Sequence, residues 1–287
     1  MERASQPHYW LGRVRDRQGR GAWVRALTDG RAPGPDAEIA AIPNPFADPE
    51  GDPWEVVRDA IPLTGGPRGR LDSVRLEAPV APSKVIGVGR NFRAHAAELG
   101  NEVPSEPLLF FKPPSCLVPS GAAVALPRGY ERIDLEGELV VVIGRRAKAV
   151  AAADAWDHVA GYCLGNDISC RDLQRRDKQW TRAKGFDGFG PISALVHMTP
   201  PGWTLPAAEV RLRSFLDDAP RQDATLDALI FAIPTLIEVI SACMTLLPGD
   251  LIFTGTPEGV APIAPGQVVR ITAEGPLALA PVITTLT

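Results

Sequence analysis

The chain has 287 residues, 45% of them hydrophobic and 22% charged, with a formal net charge of -4, the proportions of an ordinary globular protein rather than a disordered one. The pI near 5.7 and the shortness of its basic clusters, Arg145-Arg146 and Arg175-Arg176, argue against a general nucleic-acid surface. No apolar run reaches membrane-spanning length, and the polar start MERASQPHYW lacks the charged-then-apolar plan of a signal peptide, so a cytoplasmic protein with no membrane partner is expected.

The first predicted element is a hairpin, YWLGRVRDRQGRGAWVRAL, followed by the loop-forming AIPNPFADPEGDP. Together they suggest a small N-terminal domain over residues 1–75. A second proline-rich stretch, LEAPVAPSK, leads into VIGVG, the first strand of a main domain over 76–287. In GRNFRAHAAELG, His95 and Glu98 stand at i, i+3 on a short helix, so the carboxylate can orient the imidazole. A surface His-Glu pair has the same spacing.

The run IDLEGELVVVIG, residues 133–144, opens with two glutamates and turns apolar on both faces from Leu139 onward. Glu136 and Glu138 share one face of this strand. They read either as its solvated end or as two carboxylates entering a core, where unpaired charge is costly. In GYCLGNDISCRDLQ a predicted strand ends at Asp167, and a helix is expected from Ser169 to about Trp180, with Ser169 and Asp172 in capping-box spacing. Asp167 can serve as a helix N-terminal carboxylate or as a third acidic ligand. Three carboxylates suit Mg²⁺ or Mn²⁺; Ca²⁺ is admissible, although its cages usually recruit more protein oxygens.

Arg171 and Gln174 follow at i, i+3, and Lys184 opens the glycine-rich KGFDGFGP. Each also has a plain reading as a solvated polar residue. A buried helix is expected over Ile233 to Leu246. FTGTPEGV ends a strand in a turn whose amides and Thr256 hydroxyl can cradle a carboxylate; no Walker pattern accompanies it. The remaining short β-branched runs between Pro-Gly turns predict a mostly β, α+β architecture with helices packed outside. The four cysteines form no C-x-x-C pair and the four histidines no H-E-x-x-H pattern, so any metal must rest on oxygen ligands.

The ordered set GVGRNF, FFKPPS, EGEL, GYCLGNDIS, AKGFD and TGTPEGV resembles the fumarylacetoacetate hydrolase family over roughly residues 84–270, particularly its shorter members acting on acylpyruvates and oxaloacetate. The resemblance implies a mixed β-roll or barrel-like catalytic domain, a homodimer, and a divalent metal on Glu136, Glu138 and Asp167. It places His95 and Glu98 as a catalytic dyad on a helical lid and Lys184 in the active site. Arg90, Arg171, Gln174 and Thr256 match positions that contact the acidic substrate, and Lys112 matches a recurring position. The expected reaction is metal-dependent hydrolysis of a carbon-carbon bond in an acylpyruvate-like 2,4-dioxo acid, giving pyruvate and a carboxylic acid. Decarboxylation or isomerisation of a related oxo acid, or a non-catalytic metal and anion-binding role, are the alternatives. FLDDAP and the tail AEGPLALAPVITTLT depart from the family pattern and bear on substrate details.

Overall fold

The computed structural model describes residues 8–16, 18–28, 31–98 and 103–287, apart from the side chains of 95–97. Strand Gly137–Ile143 lies inside a 13-stranded sheet, antiparallel to Val159–Asn166 on one side and to Leu251–Phe253 on the other. Val140 and Val142 pack into one core layer with Val85, Cys163, Met198 and Phe253. Leu139, Val141 and Ile143 enter a larger layer with Tyr162, Leu164, Leu236 and Ile240. Both faces are covered, as a run without polar alternation requires.

Beyond Leu251–Phe253 the sheet continues through Val85–Gly89, paired in parallel, to the edge strand Leu108–Lys112. A five-stranded sheet holds Arg211–Leu216, Ala219–Thr225 and Val268–Glu274, and a three-stranded one joins Ile133–Leu135 to Ser169–Cys170. The architecture is mostly β, with mixed sheets and few helices. Among the described residues the sheets stay open and no closed barrel forms.

Among the described residues the α-helices are α1 (Pro53–Asp59), α2 (Arg93–Glu98), α3 (Arg171–Asp177), α4 (Thr181–Lys184) and α5 (Ile233–Cys243). Helix α5 buries Ile233, Leu236, Ile237 and Ile240, one stripe at helical spacing. It stops three residues before the expected Leu246, because Leu246 and Ala147 exchange backbone hydrogen bonds in a bridge. The helix expected from Ser169 is also corrected. Ser169 and Cys170 pair as a strand with Ile133 and Asp134, the Ser169 hydroxyl donates to Asp167 O, and Asp172 accepts from the Arg132 amide, so no capping box forms. Lys178, left-handed at φ 59°, ends α3, and α4 restarts at Thr181.

The N-terminal hairpin pairs His8–Arg15 with Gly21–Thr28, and its first strand also pairs with Leu195–Met198 of the main sheet. At this seam His197 is buried, stacked on Trp10 at 4.7 Å and on His8 at 4.9 Å. Burial, with a smaller contribution from His8, pushes the His197 imidazole down to about 4. A depressed histidine pKa favours folding while the ring is neutral, and that contribution is lost as pH falls from about 6.5 through 4. The full shift corresponds to about 3 kcal/mol. Urea unfolding of the wild type between pH 7 and pH 4 should show a loss of this order, and His197→Phe should flatten the dependence. An equally steep loss in the variant would remove His197 as its source.

Candidate functional site

Glu136 joins the short strand Ile133–Leu135 to Gly137–Ile143, where the three-stranded sheet meets the large one. Its amide donates to Asn166 Oδ1 at 2.9 Å and its carbonyl accepts from the Asp167 amide at 2.8 Å. These two bonds clamp the end of Val159–Asn166 against the start of Gly137–Ile143 and bring Asp167 beside the glutamates. Glu136, Glu138 and Asp167 are 4%, 2% and 1% exposed. One oxygen from each lies within 4.8 Å of the others, where two like charges repel by about 3.5 kcal/mol at an effective dielectric of about 20.

Cations are interleaved among these acids. Lys184 donates to Glu136 Oε2 at 2.6 Å and to Asp167 Oδ2 at 2.5 Å. Arg171 reaches Glu136 Oε1 at 2.5 Å, Asp134 Oδ2 at 2.8 Å and Gln174 Oε1 at 2.8 Å. Lys112, wholly buried, pairs with Asp167 Oδ1 at 2.8 Å and also donates to the carbonyls of Lys184 and Phe189. Burial alone would lower the Lys184 ammonium, but Asp167 and Glu136 more than offset it and hold the amine above its ordinary value.

Glu138 is placed differently. Its Oε2 accepts from the Gly255 amide at 2.8 Å, but no ion pair reaches it among the described residues. Gly255 can present that amide because it adopts φ 102°, and a Cβ there would come within 2.7 Å of the Asn91 Cβ. Burial, then the charges of Asp167 and Glu136, push Glu138 well above the usual carboxylate range. A dry trio of hard oxygen donors with one member lacking a cation is the set that a divalent ion such as Mg²⁺ or Mn²⁺ completes.

The three carboxylates line a cavity of about 380 Å³. Lys184, Arg171, Gln174, Thr256 and Arg90 line it as well, so most of the substrate contacts expected from sequence gather there. Lys112 does not; it supports Asp167 and the Lys184 backbone from behind. Thr256 donates its hydroxyl proton to Gly137 O at 2.9 Å, so toward the cavity it offers an acceptor rather than the expected anion donor. Glu98 on α2 accepts from the Gly259 amide at 3.2 Å, while the His95 side chain lies outside the described residues. The sequence reading passed over the opposite wall, Phe110 and Trp180 with ring centroids 5.2 Å apart, the Lys184 amine lying 5.0 Å from the Phe110 centroid. It also passed over Asp134, although Asp134, Glu136 and Glu138 stand at alternate positions and one acidic ladder was there to be read.

A model of the fumarylacetoacetate (FAA) hydrolase C-terminal family matches residues 84–285. The mitochondrial oxaloacetate tautomerase FAHD2 of Oryza sativa subsp. japonica is 46% identical over 197 residues, which cover 66% of this chain and 86% of the relative. The solved 5-carboxymethyl-2-hydroxymuconate delta-isomerase of Mycobacterium smegmatis is 38% identical, with a TM-score of 0.78 over 97% of this chain and 98% of its own. The fumarylpyruvate hydrolase of Pseudomonas aeruginosa, solved with Mn²⁺ and pyruvate, is 32% identical, with a TM-score of 0.64 over 73% of this chain and 90% of its own.

Replacing the carboxylate that lacks a cation separates its two effects. Glu138→Gln removes like-charge repulsion, so the EDTA-treated variant should unfold a few degrees above the wild type, about 1 kcal/mol for a chain of this size. The same change should weaken Mn²⁺ binding at least roughly tenfold, measured as loss of the metal-induced shift in unfolding temperature. Unchanged Mn²⁺ affinity would remove Glu138 from the ligand set.

Proposed function

The chain belongs to the fumarylacetoacetate hydrolase family, and on that premise we propose that it is a divalent-metal-dependent enzyme interconverting the keto and enol forms of a small 2-oxo acid of the oxaloacetate kind. The observation that carries this reading is the placement of Lys184. Its ammonium is held charged between two carboxylates of the trio, and two of its three N–H donors go to them. The third has no acceptor among the described residues, and the amine lines the cavity.

Glu136, Glu138 and Asp167 would hold the divalent cation, which when bound would supply Lewis-acid polarisation of the oxo acid. The protein's own groups do the rest. The keto form loses a proton from the carbon beside its carbonyl, and the resulting negative charge spreads onto the carbonyl oxygen. Lys184 Nζ–H meets that charge as a preorganised hydrogen-bond donor, and the enol is completed when the proton taken from carbon by the base is returned to that oxygen. Arg90 and Arg175 line the same cavity and offer positive charge to a second carboxylate. Phe110 and Trp180 exclude water from the side facing Lys184. We assign the proton acceptor to His95, on the helix that Glu98 ties to the Gly259 amide.

That tie also favours a second reading, hydrolysis of a carbon-carbon bond in an acylpyruvate. Gly259 follows the cavity-lining Thr256 by three residues, which supports a reading in which the base of the expected His-Glu dyad activates water as well as moving a proton. The fumarylpyruvate hydrolase relative supports the same possibility. Decay of enol absorbance in oxaloacetate, followed with Mg²⁺ and with EDTA while pyruvate is assayed separately, distinguishes the two. Metal-dependent decay without pyruvate is expected; pyruvate released from acetylpyruvate would favour hydrolysis, and no acceleration of either would overturn both. Lys184→Met should lower kcat by roughly 10²- to 10³-fold yet retain Mn²⁺ binding, since it removes a cation and leaves all three ligands. Full activity in that variant would dismiss the proposed role of the amine.

A further inference from the structure

Gln222 is 1% exposed on a strand, Ala219–Thr225, whose other residues are exposed or half-buried. An irregularity in its pairing with Arg211–Leu216 falls between Ser214 and Phe215, opposite this residue. All four hydrogen bonds of its amide are made inside the protein. Oε1 accepts from the Gly137 amide and from the Ser214 hydroxyl, each at 2.9 Å. Nε2 donates to Thr256 Oγ1 and to Pro257 O, each at 2.7 Å. The Gly137 N–H and the Pro257 carbonyl fix which end is oxygen and which is nitrogen.

Gly137 is the residue between Glu136 and Glu138. Its N–H is held by Gln222 directly, and its carbonyl is held by the Thr256 hydroxyl, whose oxygen is in turn held by Gln222. A closed ring of three side-chain and backbone groups therefore fixes both peptide units flanking Gly137, which set the spacing of the two glutamates. It leaves little space: a Cβ on Gly137 would lie 3.1 Å from Gln222 Oε1 and 3.3 Å from Ile271 Cγ2. The same ring commits the Thr256 proton to Gly137 and turns that residue into an acceptor at the cavity wall.

We propose that Gln222 is a positioning residue of the metal centre, holding Glu136 and Glu138 at ion-binding separation through the Gly137 peptide. The inference rests on the reading of Glu136, Glu138 and Asp167 as a cation site. Gln222 touches neither ion nor substrate in this role. Groups that orient metal ligands typically change affinity by roughly 10- to 100-fold when removed.

The test is Mn²⁺ titration of the full chain by calorimetry, with electron paramagnetic resonance of the bound ion. Gln222→Leu should bind roughly 10- to 100-fold more weakly and alter the zero-field splitting, because the oxygen positions shift. Ser214→Ala loses a bond to the same Gln222 oxygen without touching Gly137, and should keep wild-type affinity and line shape. Should the leucine variant fail to fold, judged by its circular dichroism, Gln222→Asn, one methylene too short to span both partners, should show the same direction of change. Wild-type affinity and spectrum in a folded Gln222 variant would overturn the inference and leave the cation site standing. Failure of the wild type itself to take up Mn²⁺ would overturn the cation site and the inference with it.

Discussion

Confining like charges in a dry place is the constraint around which this protein is arranged. Asp134, Glu136, Glu138 and Asp167 are all buried where the three-stranded sheet meets the large one, and the last three, within 4.8 Å of one another, resist that approach. Arg171, Lys184 and Lys112 offset most of that resistance by direct contact. Glu138 is left without an ion pair among the described residues, and that imbalance is what a cation held by the trio would relieve. Desolvation of both partners cancels much of their attraction, so their net contribution to folding is smaller than their contact distances suggest, whereas removing one partner strands a buried charge.

Rigid backbone makes the confinement possible. The acids stand on strand ends whose neighbours are locked by ladder bonds and by the Asn166 side chain, and the large core layers behind them leave no room for retreat. The walls come from other elements: Arg90 after strand Val85–Gly89, Phe110 on an edge strand, Trp180 in the break between α3 and α4. The charged centre and the shape of the cavity are thus built from separate parts of the chain.

Much of this was legible in the sequence. Strand Gly137–Ile143 could be read because a run without alternation has to be covered on both sides; Glu136, Glu138 and Asp167 had a solvated reading locally, and only the resemblance of the surrounding motifs grouped them, as the structure does by burying them together. Helix α5 announced itself by period. The start of α3 was misread because Ser169-x-x-Asp172 is a local signal, and pairing with Ile133 and Asp134, distant in sequence, outweighs it. Lys112 could be matched to a pattern but not given a direction: nothing local says that its amine turns inward to Asp167. Gln222 sits among polar, solvent-facing neighbours, and only the approach of two sheets makes it internal.

Arg90 keeps a side chain in a backbone conformation, φ 58°, that glycine adopts freely. An L-residue there costs about 1–2 kcal/mol, so directed evolution for heat resistance would be drawn toward Arg90→Gly. Such a winner would lose a guanidinium from the cavity mouth while leaving the charged centre intact. Under the proposed function, robustness and substrate selection would therefore be opposed at a single dihedral angle.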